Sequence, residues 1–300
     1  MSTNKQHKKS SKSTIKGPVI LAVMDGIGIG SRDQGDIVWS ADTPVLDELA
    51  KLHLKGRLKA HGSAVGMPSE GDMGNSEIGH NALGAGRIFD QGAKLVQNAV
   101  NSGSLFQGAV WNEMLSHVKQ HNSAIHFIGL LSDGNVHSHI DHLLKMISEA
   151  DNNGIEQVYI HTLLDGRDVP KTSCMTYIEQ LENHLKPIDA KGDRRYKIAS
   201  GGGSMQITMD RYESDWGMLK KGVDIHIHGV GSMFKSAADA IEYYRSQKPG
   251  ICDQDMPPFV IKGENGRAVA PIEDNSAVIA YNFRGDRMLE LVDVFESESF

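Results

Sequence analysis

Ser76 stands in a glycine-spaced turn, Gly71-Asp72-Met73-Gly74-Asn75-Ser76-Glu77-Ile78-Gly79-His80, at the start of a predicted helix that runs on through Ala82 and Leu83. A serine hydroxyl stays protonated at neutral pH and attacks only when a base or a metal lowers its effective pKa. The free N–H groups of a helix start also favour an anion beside it. The placement suits phosphate chemistry with Ser76 as nucleophile; the plain alternative is that Ser76 is an N-cap and the glycines serve turns. A second element, Val19-Ile20-Leu21-Ala22-Val23-Met24-Asp25-Gly26, reads as a buried strand that ends on an acid followed by glycine. A carboxylate there can hold a divalent cation against a serine oxygen, which makes Asp25 a candidate metal ligand rather than an ordinary turn residue.

Polar loops that directly follow apolar runs carry the remaining candidates. Ser132-Asp133-Gly134-Asn135-Val136-His137-Ser138-His139 holds an H-x-H pair with His142 nearby, so substrate contact, helix capping and metal binding are all open. In Asp165-Gly166-Arg167-Asp168, Arg167 can grip a carboxylate bidentately while Asp168 accepts or donates a hydroxyl proton. A glycine triplet opens Gly201-Gly202-Gly203-Ser204-Met205-Gln206-Ile207-Thr208-Met209-Asp210-Arg211, and these glycines read as no more than a flexible turn. Arg284 and Arg287 lie three apart, so on a helical first turn both can face one oxyanion. Positive charge at a helix start is otherwise unfavourable. His226 and His228 alternate on one face of a predicted strand and are taken as structural.

The Asp25 and Ser76 stretches together resemble the cofactor-independent phosphoglycerate mutases, whose phosphatase-type half belongs to the alkaline phosphatase superfamily, and the resemblance runs from about Gly17 to the end of the chain. It implies an α/β protein: the N-terminal piece of an alkaline phosphatase-like domain, then an inserted α/β transferase domain. By the resemblance, Asp25 is a metal ligand and Ser76 is both metal-bound and transiently phosphorylated. His137 contacts substrate, ahead of the capping and metal readings. Arg167 and Asp168 bind the glycerate portion, with Asp168 as general base, and Arg211, Arg284 and Arg287 bind substrate, the last two through its phosphate. The implied reaction is interconversion of 2- and 3-phosphoglycerate through phosphoserine. Two divalent ions are implied, Mn²⁺ first with Mg²⁺ or Co²⁺ as alternatives, and no bisphosphoglycerate. Ser204 stands where the family has an arginine; a lysine near the substrate and the later Asp/His-rich metal segment are absent. The expectation is therefore an isomerase whose 300-residue piece is inactive alone. The alternatives are a noncatalytic remnant that binds phosphoglycerate and another phosphotransfer or hydrolytic member of the superfamily.

The elements that must position these groups alternate in type. Strands are expected at 124–131, 157–164, 196–200, 223–228 and 277–283, and helices at 139–150, 173–185, 237–246 and 285–294. Thr43-Pro44 marks a helix start with a stripe of Val45, Leu46, Leu49 and Leu52 behind it. Glycines after Ser76 place a boundary near residue 90, giving a Lys/Ser-rich disordered tail over 1–16, a phosphatase-type segment over 17–90 and a substrate-binding domain over 91–300. Gly26, Gly28 and Gly30 do not meet the dinucleotide fingerprint. With 39% hydrophobic and 23% charged residues the chain reads as a soluble globular protein. A net charge of −7 argues against nucleic-acid binding. Cys174 and Cys252 fit a reducing compartment, and no apolar run is long enough to span a membrane. The expected protein is a cytoplasmic monomer acting on a small molecule, without nucleic-acid or membrane partners.

Overall fold

The apolar runs from residue 125 onward become neighbouring strands because helices and the 207–209 segment bury the side chains of the central ones. The computed structural model describes residues 17–53 and 55–297, which fall into two compact units, one up to Leu58 and one from Lys59 onward. The expected tail over 1–16 lies outside the described residues.

The first unit holds two helices, α1 (Ile37–Ser40) and α2 (Pro44–Lys51), the latter with Thr43 at its N-cap and proline at its first position, as its sequence predicts. The predicted strand before Asp25 does not form. Val19 and Ile20 are 83% and 84% exposed, and no described strand pairs with this run. A buried-strand sequence needs neighbours to take up its backbone groups and cover its side chains. The stripe on α2 is likewise unpacked, with Val45, Leu49 and Leu52 exposed.

The second unit begins with α3 (Ser76–Ala85), α4 (Gly92–Ser102), α5 (Ser104–Gln107) and α6 (Ala109–His121). It continues with β1 (Ile125–Leu131), α7 (Ile140–Asn152), β2 (Gln157–Leu164), α8 (Cys174–Asp189), β3 (Arg195–Gly203) and α9 (Trp216–His226). Last come β4 (Met233–Phe234), α10 (Ala237–Gln247), β5 (Phe259–Ile261), β6 (Ala277–Ala280) and α11 (Leu289–Glu296). The six strands form one sheet in the order β4-β5-β3-β2-β1-β6, parallel except where β5 meets β3. The α/β expectation holds. One sheet face packs Phe127, Ile160 and Tyr196 against Leu115 of α6, Leu143 and Ile147 of α7, Ile178 and Leu181 of α8 and Ile241 of α10. The other packs Ile128, Leu130 and Leu163 against Ile207, Met209 and Leu291. The turn at 87–92 leads from α3 to α4 inside this unit, with the Gln91 N–H bonded to the Gly66 carbonyl at 3.0 Å.

Residues 223–228 are not a strand. Asp215 caps α9 by accepting from the Met218 N–H, and the helix carries His226 inward while His228 is exposed. His226 joins a buried chain on the second face of the sheet. His126 Nδ1 lies 2.9 Å from His161 Nε2, and His161 Nδ1 lies 2.7 Å from Ser200 Oγ. Ser200 Oγ lies 2.7 Å from His226 Nδ1, whose Nε2 is 3.0 Å from Thr208 Oγ1. Burial holds His126 down to about 4 and His226 to about 3, and pushes His161 well below its ordinary value.

All three histidines are therefore neutral in the folded chain at pH values where the unfolded chain binds protons. Their contribution is complete above the ordinary histidine pKa of 6.5 and is lost as pH falls from there toward 4. Urea unfolding at about pH 7.5 and about pH 5 should show stability falling by up to about 1.4 kcal/mol per pH unit for each histidine that titrates only when unfolded. A flat profile across this window would contradict the buried neutral chain.

Candidate functional site

The parallel strands β1, β2, β3 and β6 bring their carboxyl ends to one edge of the sheet, where four polar loops meet. The loop after β2 is organised by Asp165, a buried residue that the sequence reading passed over. Its Oδ1 accepts from the N–H groups of Gly166 at 2.7 Å, Arg167 at 2.9 Å and Asp168 at 3.1 Å, and its Oδ2 accepts from Ser132 Oγ at 2.7 Å. An aspartate followed by glycine after a strand was the available signal for such a turn. The glycine triplet is not a flexible turn: it is the end of β3. A Cβ on Gly201 would fall within 3 Å of Thr162 and Phe259, and one on Gly202 or Gly203 within 3 Å of Pro258 or the Gln254 backbone, so the close approach of β2 and of the 254–259 segment demands glycine here.

A cavity of about 310 Å³ opens where these loops converge, lined by His137, Asp165, Arg167, Asp168, Ser204, Arg211, Gln254, Arg284 and Arg287 together with Met73, Gly74 and Asn75. It gathers every expected substrate residue. Arg284 precedes a 3₁₀ turn, Gly285–Arg287. Arg284 pairs with Asp286 Oδ2 at 3.0 Å and reaches Glu77 at 3.4 Å; Arg211 reaches Asp286 Oδ2 at 3.4 Å. Arg287 donates to the Met209 carbonyl at 2.5 Å. Its own pKa is lowered by burial first and then by Arg211. Arg167 makes no ion pair among the described residues. Asp168 is pushed up to about 6, by burial first and then by Asp165, against the pull of the arginines. A carboxyl of that pKa exchanges a proton near neutrality.

The histidines divide. His137 lines the cavity and is held down to about 4 by burial first, then by Arg284. His139 caps α7, accepting from the Asp141 N–H at 3.2 Å, and His142 meets Gln97 at 3.0 Å.

Ser76 is the first residue of α3, but the N-cap is Asn75, whose Oδ1 accepts from the Ile78 N–H at 3.1 Å. Its hydroxyl is exposed and lies 3.2 Å from His80 Nδ1, which is also 2.7 Å from the Ser76 carbonyl. A carbonyl only accepts, so that nitrogen carries a proton and cannot take one from the serine. The preceding loop is tied to the cavity wall through Asn135 Nδ2, which donates to Asp72 Oδ1 at 2.8 Å. Asp25 belongs to the first unit, in an exposed turn, where its Oδ1 accepts from the Gly26 N–H at 2.9 Å. Asp25 and Ser76 are oxygen donors of the type hard divalent ions prefer. Two donors fall short of a full shell, and the described residues hold no group of three or more His, Cys, Asp and Glu arranged for a metal.

A model of the BPG-independent PGAM N-terminus matches residues 96–300, more than half of the chain. The chain belongs to this family. It is 46% identical over 296 residues to a probable 2,3-bisphosphoglycerate-independent phosphoglycerate mutase of Leptospira interrogans, covering 98% of this chain and 54% of that protein. It is 44% identical over 291 residues to the Trypanosoma brucei brucei 2,3-bisphosphoglycerate-independent phosphoglycerate mutase, covering 96% and 52% respectively. A crystal structure of Leishmania mexicana phosphoglycerate mutase at low cobalt concentration superposes with a TM-score of 0.85 at 42% identity, over 93% of this chain and 51% of that one. The chain thus spans about half the length of these relatives.

Asp165→Asn should remove two effects at once. Its amide cannot serve all the donors now met by both carboxylate oxygens, which should cost about 2 kcal/mol of stability in urea unfolding. Loss of the Asp165 charge should also lower the Asp168 pKa from about 6 toward the ordinary aspartate range, as read by carboxyl-carbon NMR titration. An unchanged Asp168 pKa would show that Asp165 does not act on it.

Proposed function

We propose that this chain supplies the substrate clamp of a 2,3-bisphosphoglycerate-independent phosphoglycerate mutase, and that the whole protein interconverts 2- and 3-phosphoglycerate. The observation that carries it is the convergence of Arg167, Arg211, Arg284 and Arg287 with Asp168 on one cavity. Bidentate guanidinium donors on several sides suit a ligand bearing both a phosphate and a carboxylate. Arg284 and Arg287 hold the phosphoryl oxygens, and Arg167, free of any protein carboxylate among the described residues, takes the glycerate carboxylate.

In the forward direction Ser76 Oγ, its proton released to solvent, bonds to phosphorus as the bond to the carbon-3 oxygen breaks, and Asp168 protonates the departing glycerate oxygen. Glycerate then turns in the cavity, Asp168 takes the proton of the carbon-2 hydroxyl, and that oxygen attacks phosphoserine. An acid–base group of pKa about 6 serves both directions. Asp25 and Ser76 are each expected oxygen ligands of a divalent ion, Mn²⁺ or alternatively Mg²⁺ or Co²⁺, which when bound would supply the Lewis-acid activation that His80 does not. We accordingly read this chain alone as a binding but inactive unit, and the whole protein as a cytoplasmic monomer. The expected tail over 1–16 and the division of phosphatase-type from substrate-binding residues near 90 belong to the same reading.

Calorimetry of the chain with 3-phosphoglycerate should show metal-independent binding that weakens ten- to a hundredfold in Arg167→Ala, the loss of about 1.4–2.8 kcal/mol. Glycerate binding as tightly as its phosphate ester would refute the clamp. In the chain extended to the length of its relatives, mutase turnover should require metal and vanish in Ser76→Ala, and turnover that survives the substitution would remove Ser76 as nucleophile.

A further inference from the structure

Asp286 lies between the two arginines of the 281–287 loop, and each of its oxygens has a separate task. Oδ2 takes Arg284 Nη2 at 3.0 Å and Arg211 Nη1 at 3.4 Å. Oδ1 is buried without a hydrogen-bond partner, and 3.8 Å from it lies His137 Nδ1, also buried and without a partner. The two loops that carry these groups are already joined by backbone, because the Phe283 and Arg284 N–H groups approach the His137 carbonyl at 2.9 and 3.3 Å.

The imidazole is neutral, since burial and Arg284 outweigh the attraction of Asp286 for its charged form. A neutral ring carries one N–H. A bare Nδ1 would set a lone pair against the carboxylate oxygen in a dry environment, whereas an N–H there points a donor at an acceptor. The Nδ1–H tautomer therefore wins, and an approach of less than about 1 Å turns the contact into a hydrogen bond. The consequence falls on the other nitrogen. Nε2, on the opposite side of a ring that lines the cavity, is left as a lone-pair acceptor among cationic donors. Phosphate and carboxylate oxygens have no proton for it beside four guanidiniums; a hydroxyl does.

We propose that Asp286 is a positioning residue that fixes His137 as the Nδ1–H tautomer, so that His137 Nε2 accepts a hydrogen bond from a hydroxyl of the bound hydroxy acid, while the second oxygen of Asp286 sets Arg211 and Arg284. The hydroxyl part rests on the phosphoglycerate reading; the tautomer does not. The device separates two kinds of ligand group: arginines select the charged ends, and His137 selects the hydroxyl between them.

The test uses the ¹⁵N-labelled chain and its Asp286→Asn variant, with circular dichroism and melting to confirm folding. Asparagine offers one acceptor and one N–H₂ where aspartate offered two acceptors, so it cannot meet both the arginines and His137 Nδ1–H. Long-range ¹H–¹⁵N spectra should show His137 protonated at Nδ1 in the parent and shifted toward Nε2–H in the variant. Protonation at Nε2 in the parent overturns the proposal. Calorimetry then compares 3-phosphoglycerate with 3-phosphopropionate, which lacks the hydroxyl. The parent should prefer the hydroxylated ligand by about tenfold, the worth of one hydrogen bond, and Asp286→Asn and His137→Phe should each erase that ratio. A weaker grip by displaced arginines lowers both affinities and leaves the ratio intact, so an unchanged ratio overturns the positioning role. If the parent binds neither ligand, the phosphoglycerate reading fails and with it the hydroxyl part, while the tautomer measurement still decides what Asp286 does to His137.

Discussion

Asp165 sits buried just past β2, and three successive backbone N–H groups and the Ser132 hydroxyl are what make the burial of its carboxylate tolerable. A buried carboxylate without such donors would be protonated or expelled. Because the same donors are the backbone of residues 166–168, satisfying the charge and shaping the loop are one event. Arg167 and Asp168 then face the cavity on a frame set by the sheet instead of by a free loop. Ser132 extends the frame to the loop after β1 and so to His137.

The charge that Asp165 places beside Asp168 opposes the arginines. Burial and Asp165 raise the Asp168 pKa, while Arg167, Arg284 and Arg287 lower it, and the raising effects prevail. Asp286 answers part of the arginine charge, holding Arg211 and Arg284 together against their mutual repulsion. Arg167 and Arg287 remain without a carboxylate partner among the described residues, so the cavity keeps an excess of positive charge of the kind that suits an anion. Burial first, and then the same crowding by Arg211, depresses the Arg287 pKa.

Much of this edge was legible because a strand that ends in a dense polar loop is a strong local pattern, and β1, β2 and their loops followed it. What escaped were effects that need a third partner. Residues 223–228 alternate like a strand, yet Asp215 starts a helix and Ser200 and Thr208 reward an inward His226, so tertiary contacts override the period. The glycine triplet looked loose until the backbone of the 254–258 segment proved to lie against it. Asp286 carried no expectation, since nothing local reveals that His137 and Arg211 arrive from other loops. Residues 19–23 carry the composition of a central strand, but composition cannot provide neighbours, and the run stays exposed.

Binding and activation are thus built by different physics and in different places. The proposed clamp needs donors held on the edge of one sheet, whose strands lie within residues 125–280. Activation needs the serine proton removed. Asn75 takes the capping duty and leaves the Ser76 hydroxyl unengaged by the helix backbone, at a helix start that favours an incoming anion. His80 Nδ1 is spent on the Ser76 carbonyl, so that nitrogen does not take the serine proton. On the reading proposed above, anion capture by the arginines and transfer through Ser76 are therefore separate requirements: the first is met by side chains on the sheet edge, and the second calls for a proton acceptor that His80 is not.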